Sequence, residues 1–221
     1  MKKRYVFFDL DGTLTDPMAG ITKSVQYALK AYGIEEPDLK ALCPFIGPPL
    51  KDSFMNYYDF PEEQAQEAIG KYREYFADRG IFENEVYPGI EELLRDLKRA
   101  GAVLIVATSK PETFAVRILE HFHLKPYFDY ICGATMDETR VRKGEVIAYA
   151  LEKAGIENVE EALMVGDREH DVIGARQNHM DSIGVLFGYG SREELEKAGA
   201  TEIAETVEDL KRLLTFFGIK C

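Results

Sequence analysis

The chain has 221 residues, of which 46% are hydrophobic and 30% charged, with a formal net charge of -12. These values fit one large globular domain, or a domain with an insert, and argue against a disordered or fibrous chain. The acidity, without any cluster of Lys and Arg, argues against a nucleic-acid polymer as partner, and no stretch approaches the ~20 consecutive apolar residues of a membrane span.

The first strand, Val6-Phe7-Phe8, runs directly into Asp9-Leu10-Asp11-Gly12-Thr13. In extended chain the i, i+2 spacing sends Asp9 and Asp11 to the same side. Two carboxylates that close call for a divalent cation or a shared proton. A calcium loop does not fit, because an EF-hand needs Gly at its sixth place and Glu at its twelfth, and the chain has Leu14 and Gly20 there. Taken alone, the run could also be turn chemistry after a strand.

Ile21, Val25, Ala28, Leu29 and Tyr32 predict a helix over 19–32, closed by Gly33. Leu42 to Leu50, with consecutive prolines, reads as a structured loop. Further helices follow near 50–57 and from Pro61 through Ala65, Ile69, Tyr72 and Phe76. No strand pattern occurs here, which predicts an inserted all-α domain over 16–86 within a domain made of 1–15 and 87–221.

From Pro88 the pattern alternates. A helix carrying Ile90, Leu93, Leu94 and Leu97 ends at Gly101, and a strand over 102–107 ends at Thr108-Ser109-Lys110-Pro111. Phe114, Ile118, Leu119 and Phe122 mark the next helix and Tyr130 to Cys132 a strand. Val146, Ile147, Ala150 and Leu151 mark a helix, Ala162 to Val165 a strand ending at Gly166-Asp167, then a helix over 170–178 and a strand from Ile183 to Leu186. Ser191 with Glu194, and Thr206 with Asp209, resemble capping boxes opening two last helices, the final one burying Val207, Leu210, Leu213 and Leu214. Strands alternating with helices predict an α/β parallel sheet covered on both faces, with ligands at the strand carboxyl ends. Cys43, Cys132 and Cys221 are odd in number and lack a C-x-x-C pair, which predicts a reduced, cytoplasmic setting. The basic start Met1-Lys2-Lys3-Arg4 precedes an apolar run too short for a signal peptide.

Carboxylates, hydroxyls and a cation thus gather from four segments: Asp9 and Asp11, Thr108 and Ser109, Lys143, and Asp167 with Asp171. In this order and spacing they resemble the four motifs of the haloacid dehalogenase-like (HAD) superfamily of phosphatases. The likeness covers essentially the whole chain. It is closest to members similar to phosphoglycolate phosphatase and 5'-nucleotidase. The resemblance implies a Rossmann-like core with a helical C1 cap, and a Mg2+-dependent hydrolase of small phosphomonoesters. By the same resemblance Asp9 becomes an aspartyl-phosphate, while Asp11 protonates the leaving alcohol and then activates water. Mg2+ is held by Asp9, Asp167, the Asp11 carbonyl and, through a water, Asp171. Thr108, Ser109 and Lys143 bind the phosphoryl group. With four aspartates, one Mg2+ and Lys143, a proton on Asp11 brings the site to neutrality.

Several residues have plainer readings. Asp171 could cap its helix, and Arg142 and Lys110 compete with Lys143, which precedes Gly144 where many relatives carry proline. His170 reads as a solvated loop histidine and Gly188-Tyr189-Gly190 as a turn rather than a phosphate loop. Tyr57, Tyr58, Tyr72, Tyr75 and Phe76 read as cap core, and Lys23 and Lys51 as solvated. Asp11 argues against dehalogenase and phosphonatase chemistry. A phosphoglucomutase-type transferase is disfavoured because Ile21 stands near the place where a cap histidine is expected. A non-catalytic phosphate-binding regulator would be expected to lack the nucleophile or the acid, and neither is missing. The loop Phe45-Ile46-Gly47-Pro48-Pro49 carries no group that names the substrate.

Overall fold

A computed structural model describes residues 3–219, so Met1, Lys2, Lys220 and Cys221 lie outside it. The chain divides into two compact units, one comprising the residues up to Asp16 with those from Val86 onward, the other Pro17–Glu85.

The first unit is built on a six-stranded sheet of β1 (Tyr5–Phe8), β2 (Val103–Pro111), β3 (Tyr130–Ala134), β4 (Ala162–Gly166), β5 (Asp181–Val185) and β6 (Glu202–Ala204). Its spatial order is β3-β2-β1-β4-β5-β6, with every pairing parallel. This is a Rossmann-like α/β arrangement whose strand order reverses between β1 and β4. Phe7, Ile105, Ala107, Cys132 and Met164 pack on one face with Val146, Ile147 and Ala150 of α6 (Lys143–Lys153) and Ala175 of α7 (Glu169–Gln177). Val6 and Phe8, on the alternate face, are equally buried, so β1 reads as an unbroken apolar run rather than an alternating one.

Several features depart from the sequence reading. β2 does not stop at Ala107: Thr108 pairs with Gly133 and, after a register shift, Pro111 with Ala134. Partnering by β3 holds this polar stretch extended although nothing in its composition favours a strand. The three-residue β6 was not foreseen, since Glu-Ile-Ala is too short to show a period. The end of the chain also differs in detail. Of the four apolar residues expected inside α9 (Val207–Phe216), Leu210 and Leu214 are buried, while Val207 and Leu213 are half-buried.

The second unit contains α1 (Met18–Lys30), α2 (Leu50–Tyr58) and α3 (Glu62–Phe76). The expected loop before α2 holds a 3-10 helix, Leu39–Phe45, that buries Leu42 and Phe45. Gly20 of α1 lies against Gly80, where a Cβ would come within 1.9 Å of the Gly80 carbonyl oxygen. Only glycine permits that approach. Tyr72 and Phe76 are core residues, but Tyr57 is exposed and Tyr58 and Tyr75 are half-buried. Lys23 is paired with Glu83 at 2.7 Å and Lys51 with Glu62 at 2.5 Å, rather than simply solvated. Among the described residues no helix is long and apolar enough to cross a membrane.

Candidate active site

β1 and β4 are neighbours at the point where strand order reverses, and each ends in an aspartate, Asp9 after β1 and Asp167 after β4. The Asp9 N–H still donates to Val165 of β4 at 3.0 Å, which fixes the segment as it leaves the sheet. The Leu10 N–H then donates to Asp9 Oδ1 at 2.7 Å. Gly12 has φ +79°, and a Cβ there would lie 2.2 Å from Asp167 Oδ2. The turn therefore needs glycine twice over, for conformation and for room.

Asp9, Asp167 and Asp171 are all buried, and each offers a carboxylate oxygen within 4.8 Å of the others. Lys143, at the first turn of α6, reaches two of them. Its Nζ lies 2.8 Å from Asp9 Oδ1, 2.8 Å from Asp171 Oδ1 and 3.0 Å from the Ala107 carbonyl oxygen. The ammonium group thus donates to the Ala107 carbonyl oxygen and forms ion pairs with both aspartates. Gly174 makes the approach possible, because a Cβ there would stand 2.9 Å from Lys143 Cγ. Asp171 Oδ2 accepts from the Arg168 N–H at 3.1 Å. Asp171 thus caps α7 with one oxygen and joins the carboxylate cluster with the other.

Asp11 faces elsewhere. Its Oδ2 pairs with Lys110 Nζ at 2.9 Å, both side chains being buried. Its Oδ1 is buried without a hydrogen-bond partner among the described residues. Thr108 is buried, with Oγ1 accepting from the Lys110 N–H at 3.2 Å, and Ser109 is half-buried.

Burial dominates the electrostatics. It raises the Asp11 carboxyl, against the pull of Lys110. It lifts Asp167 well above the usual carboxylate range, helped by Asp171 and Asp9. Asp171 is pushed up to about 6, again by burial, with Lys143 opposing and Asp9 adding to it. For Lys143 burial works toward the neutral form, but Asp171 and Asp9 outweigh it and hold the ammonium charged. Among the described residues, the cations paired with Asp9, Asp11, Asp167 and Asp171 are the buried Lys110 and Lys143, which leaves two formal negative charges in a buried site. Such an excess is costly unless compensated, and three hard oxygen donors at this spacing suit a divalent cation. The residues present therefore fit a metal.

Lys110 is the cation that the sequence reading undervalued. Counting it, a divalent ion neutralises the site with all four carboxylates ionised, so charge balance does not require the proton on Asp11. The Gly188-Tyr189-Gly190 turn was also undervalued: Tyr189 N–H donates to Asp167 Oδ2 at 2.8 Å. Its only signal in the sequence was glycine on both sides of a tyrosine beyond a strand end. His170 is in the first turn of α7 and half-buried, not in a solvated loop, and burial and Arg168 disfavour its protonated form.

Residues 6–185 match the family model described as haloacid dehalogenase-like hydrolase. The chain is 47% identical over 209 residues to a 5'-nucleotidase of Pseudomonas aeruginosa, covering 95% of this chain and 94% of that one. It is 41% identical over 212 residues to the tyrosine-protein kinase PtkA of Mycobacterium tuberculosis, covering 95% of this chain and 72% of that one. Among solved structures, a predicted phosphatase from Clostridium acetobutylicum superposes with a TM-score of 0.96 at 52% identity, covering 98% of this chain and 100% of that one.

Proposed function

Since the chain belongs to the haloacid dehalogenase-like hydrolases and is a phosphatase of that family, we propose that it hydrolyses nucleoside 5'-monophosphates through an aspartyl-phosphate on Asp9, with Mg2+ as its metal. The observation that carries this reading is the meeting of Asp9, Asp167 and Asp171 at the strand-order reversal, with Asp11 turned to Lys110 beside them.

Asp9 Oδ1 is held by Leu10 N–H and Lys143, which orients Oδ2 as the nucleophile. Oδ2 attacks phosphorus, the bond to the leaving oxygen breaks, and Asp11 gives its proton to that oxygen. An arriving phosphate dianion adds negative charge beside Asp11, which favours the protonated form this step needs. Asp11 then takes a proton from water, the hydroxide attacks phosphorus, and the Asp9–phosphorus bond breaks to release inorganic phosphate. Asp9, Asp167 and Asp171 would hold the Mg2+, which when bound would neutralise charge on the transferring phosphoryl group. Lys143 and Lys110 hold the carboxylates in these places, and Thr108 and Ser109 at the end of β2 bind phosphoryl oxygens.

The substrate class rests on the identity to the 5'-nucleotidase. The test is phosphate release from a panel of phosphomonoesters. Nucleoside 5'-monophosphates should exceed phosphoglycolate in kcat/KM by at least about tenfold. The reverse order would replace the substrate, and ATP-dependent labelling of a tyrosine peptide without phosphate release would replace the acceptor.

Metal binding should depend on pH in a defined direction. In the metal-free protein the folded state holds protons on Asp11, Asp167 and Asp171 more tightly than the unfolded chain does. That contribution is full below the ordinary carboxylate range and is lost as pH rises through the folded value, about 6 for Asp171. Mg2+ has to displace the protons on its ligands Asp167 and Asp171, while Asp11, which is no side-chain ligand, can keep its own. It should therefore raise the melting temperature strongly at about pH 7.5 and little at about pH 5. An equal rise at both, by scanning calorimetry, would remove these carboxylates as ligands.

A further inference from the structure

The turn after β5 is pressed onto Asp167. A Cβ at residue 188 would lie 2.3 Å from the Gly12 carbonyl oxygen and 2.4 Å from Asp167 Cβ, and one at residue 190 would lie 1.9 Å from the Asp167 carbonyl oxygen. Both positions admit only glycine, and glycine brings no side chain with which to hold a turn in place. The residue between them has one. The Tyr189 N–H donates to Asp167 Oδ2 at 2.8 Å, while its hydroxyl donates to Asp16 Oδ1. Tyr87 packs beside this turn, its ring meeting Phe187 edge-on at 5.2 Å. Burial, and then the charges of Asp16, Asp167 and Asp11, hold the Tyr87 phenol above its ordinary range. The Tyr87 phenol therefore lies within the field of the site carboxylates. The other contact on the Asp167 carboxylate is the Thr13 hydroxyl, at a longer 3.3 Å.

We propose that Tyr189 is a positioning residue for Asp167: its hydroxyl, anchored on Asp16, fixes the glycine-flanked turn, and the fixed turn aims the Tyr189 N–H at the carboxylate that binds metal. The inference rests on the reading of Asp167 as a metal ligand. Partners that orient a ligand in this way contribute to metal affinity without touching the ion. Asp9, Asp11 and Lys143 do not depend on the Tyr189 hydroxyl, so the substrate side of the site should be spared.

The test is a Mg2+ titration of substrate-free protein by calorimetry for wild type, Tyr189→Phe, Asp16→Ala, the double variant and Asp16→Asn. Tyr189→Phe keeps the ring and the N–H and deletes only the hydroxyl. Each of the first two variants should weaken Mg2+ binding by about five- to tenfold. The double should lose no more than a single variant, since both act through one hydrogen bond. Asp16→Asn, which keeps an acceptor oxygen, should stay near wild type. KM at saturating Mg2+ and the melting temperature of metal-free protein should not move. Wild-type affinity in Tyr189→Phe, additive losses in the double, or a fall in affinity matched by a fall in metal-free stability would each overturn the positioning role alone. A wild-type protein that binds no Mg2+ would overturn the metal assignment and this inference with it.

Discussion

Asp9→Asn should abolish phosphatase turnover, by at least about 10⁴-fold in kcat, while leaving the fold intact. The amide oxygen of asparagine can still accept from Leu10 N–H and Lys143, the two contacts that hold Asp9 Oδ1. What it cannot do is present a second anionic oxygen to phosphorus, and no neighbouring carboxylate can substitute. Asp11 is turned to Lys110 and Asp171 is committed to the α7 cap and Lys143. The substitution also removes one negative charge from a buried cluster that carries an excess of them. Metal-free Asp9→Asn should therefore melt at the wild-type temperature or above it, the usual relation between catalytic charge and stability. Steady-state phosphate release and thermal melting in EDTA measure the two effects separately. Hydrolysis retained at wild-type rate would take the nucleophile's role away from Asp9.

Lys143→Met should be the most destabilising single change in the site. Methionine fills the stem of the lysine but leaves Asp9 and Asp171 without the cation that lies 2.8 Å from each. Removing one partner of a buried ion pair costs about 3–5 kcal/mol, which in a chain of this size lowers the melting temperature on the order of 10 °C. The loss should be largest near neutral pH and shrink toward acid. Lys143 is held charged in the fold, so its contribution is complete at neutral pH and fades only at alkaline pH. Burial pushes the Asp171 carboxyl up to about 6 even with Lys143 opposing, so in the variant, without that opposition, it takes up a proton as pH falls and relieves the unpaired charge. Melting in EDTA at several pH values checks this. A variant as stable as wild type at neutral pH would mean that the ammonium group does not hold the cluster.

Both predictions depend on residues that the sequence revealed unequally. Asp9 was legible because a short apolar strand ending in Asp-x-Asp-Gly is a local pattern, and strand ends in a parallel sheet are where ligands bind. The alternation of strands and helices gave the α/β class for the same reason. β6 and the extension of β2 through Pro111 were not legible, because what holds them extended is a neighbouring strand rather than their own composition.

The chemical groups could be named from the chain alone: four aspartates, two hydroxyls and the lysines, each beside a predicted strand or helix boundary. How their charges are shared emerged with the packing of the sheet. It paired Lys110 with Asp11, set Lys143 between Asp9, Asp171 and the Ala107 carbonyl, and laid the glycine-flanked Tyr189 on Asp167. The physical reason is range. Hydrophobic period and turn chemistry act over a few residues and are written locally, whereas a buried ion pair joins groups far apart in the chain, whose distance is set only when the sheet order is complete.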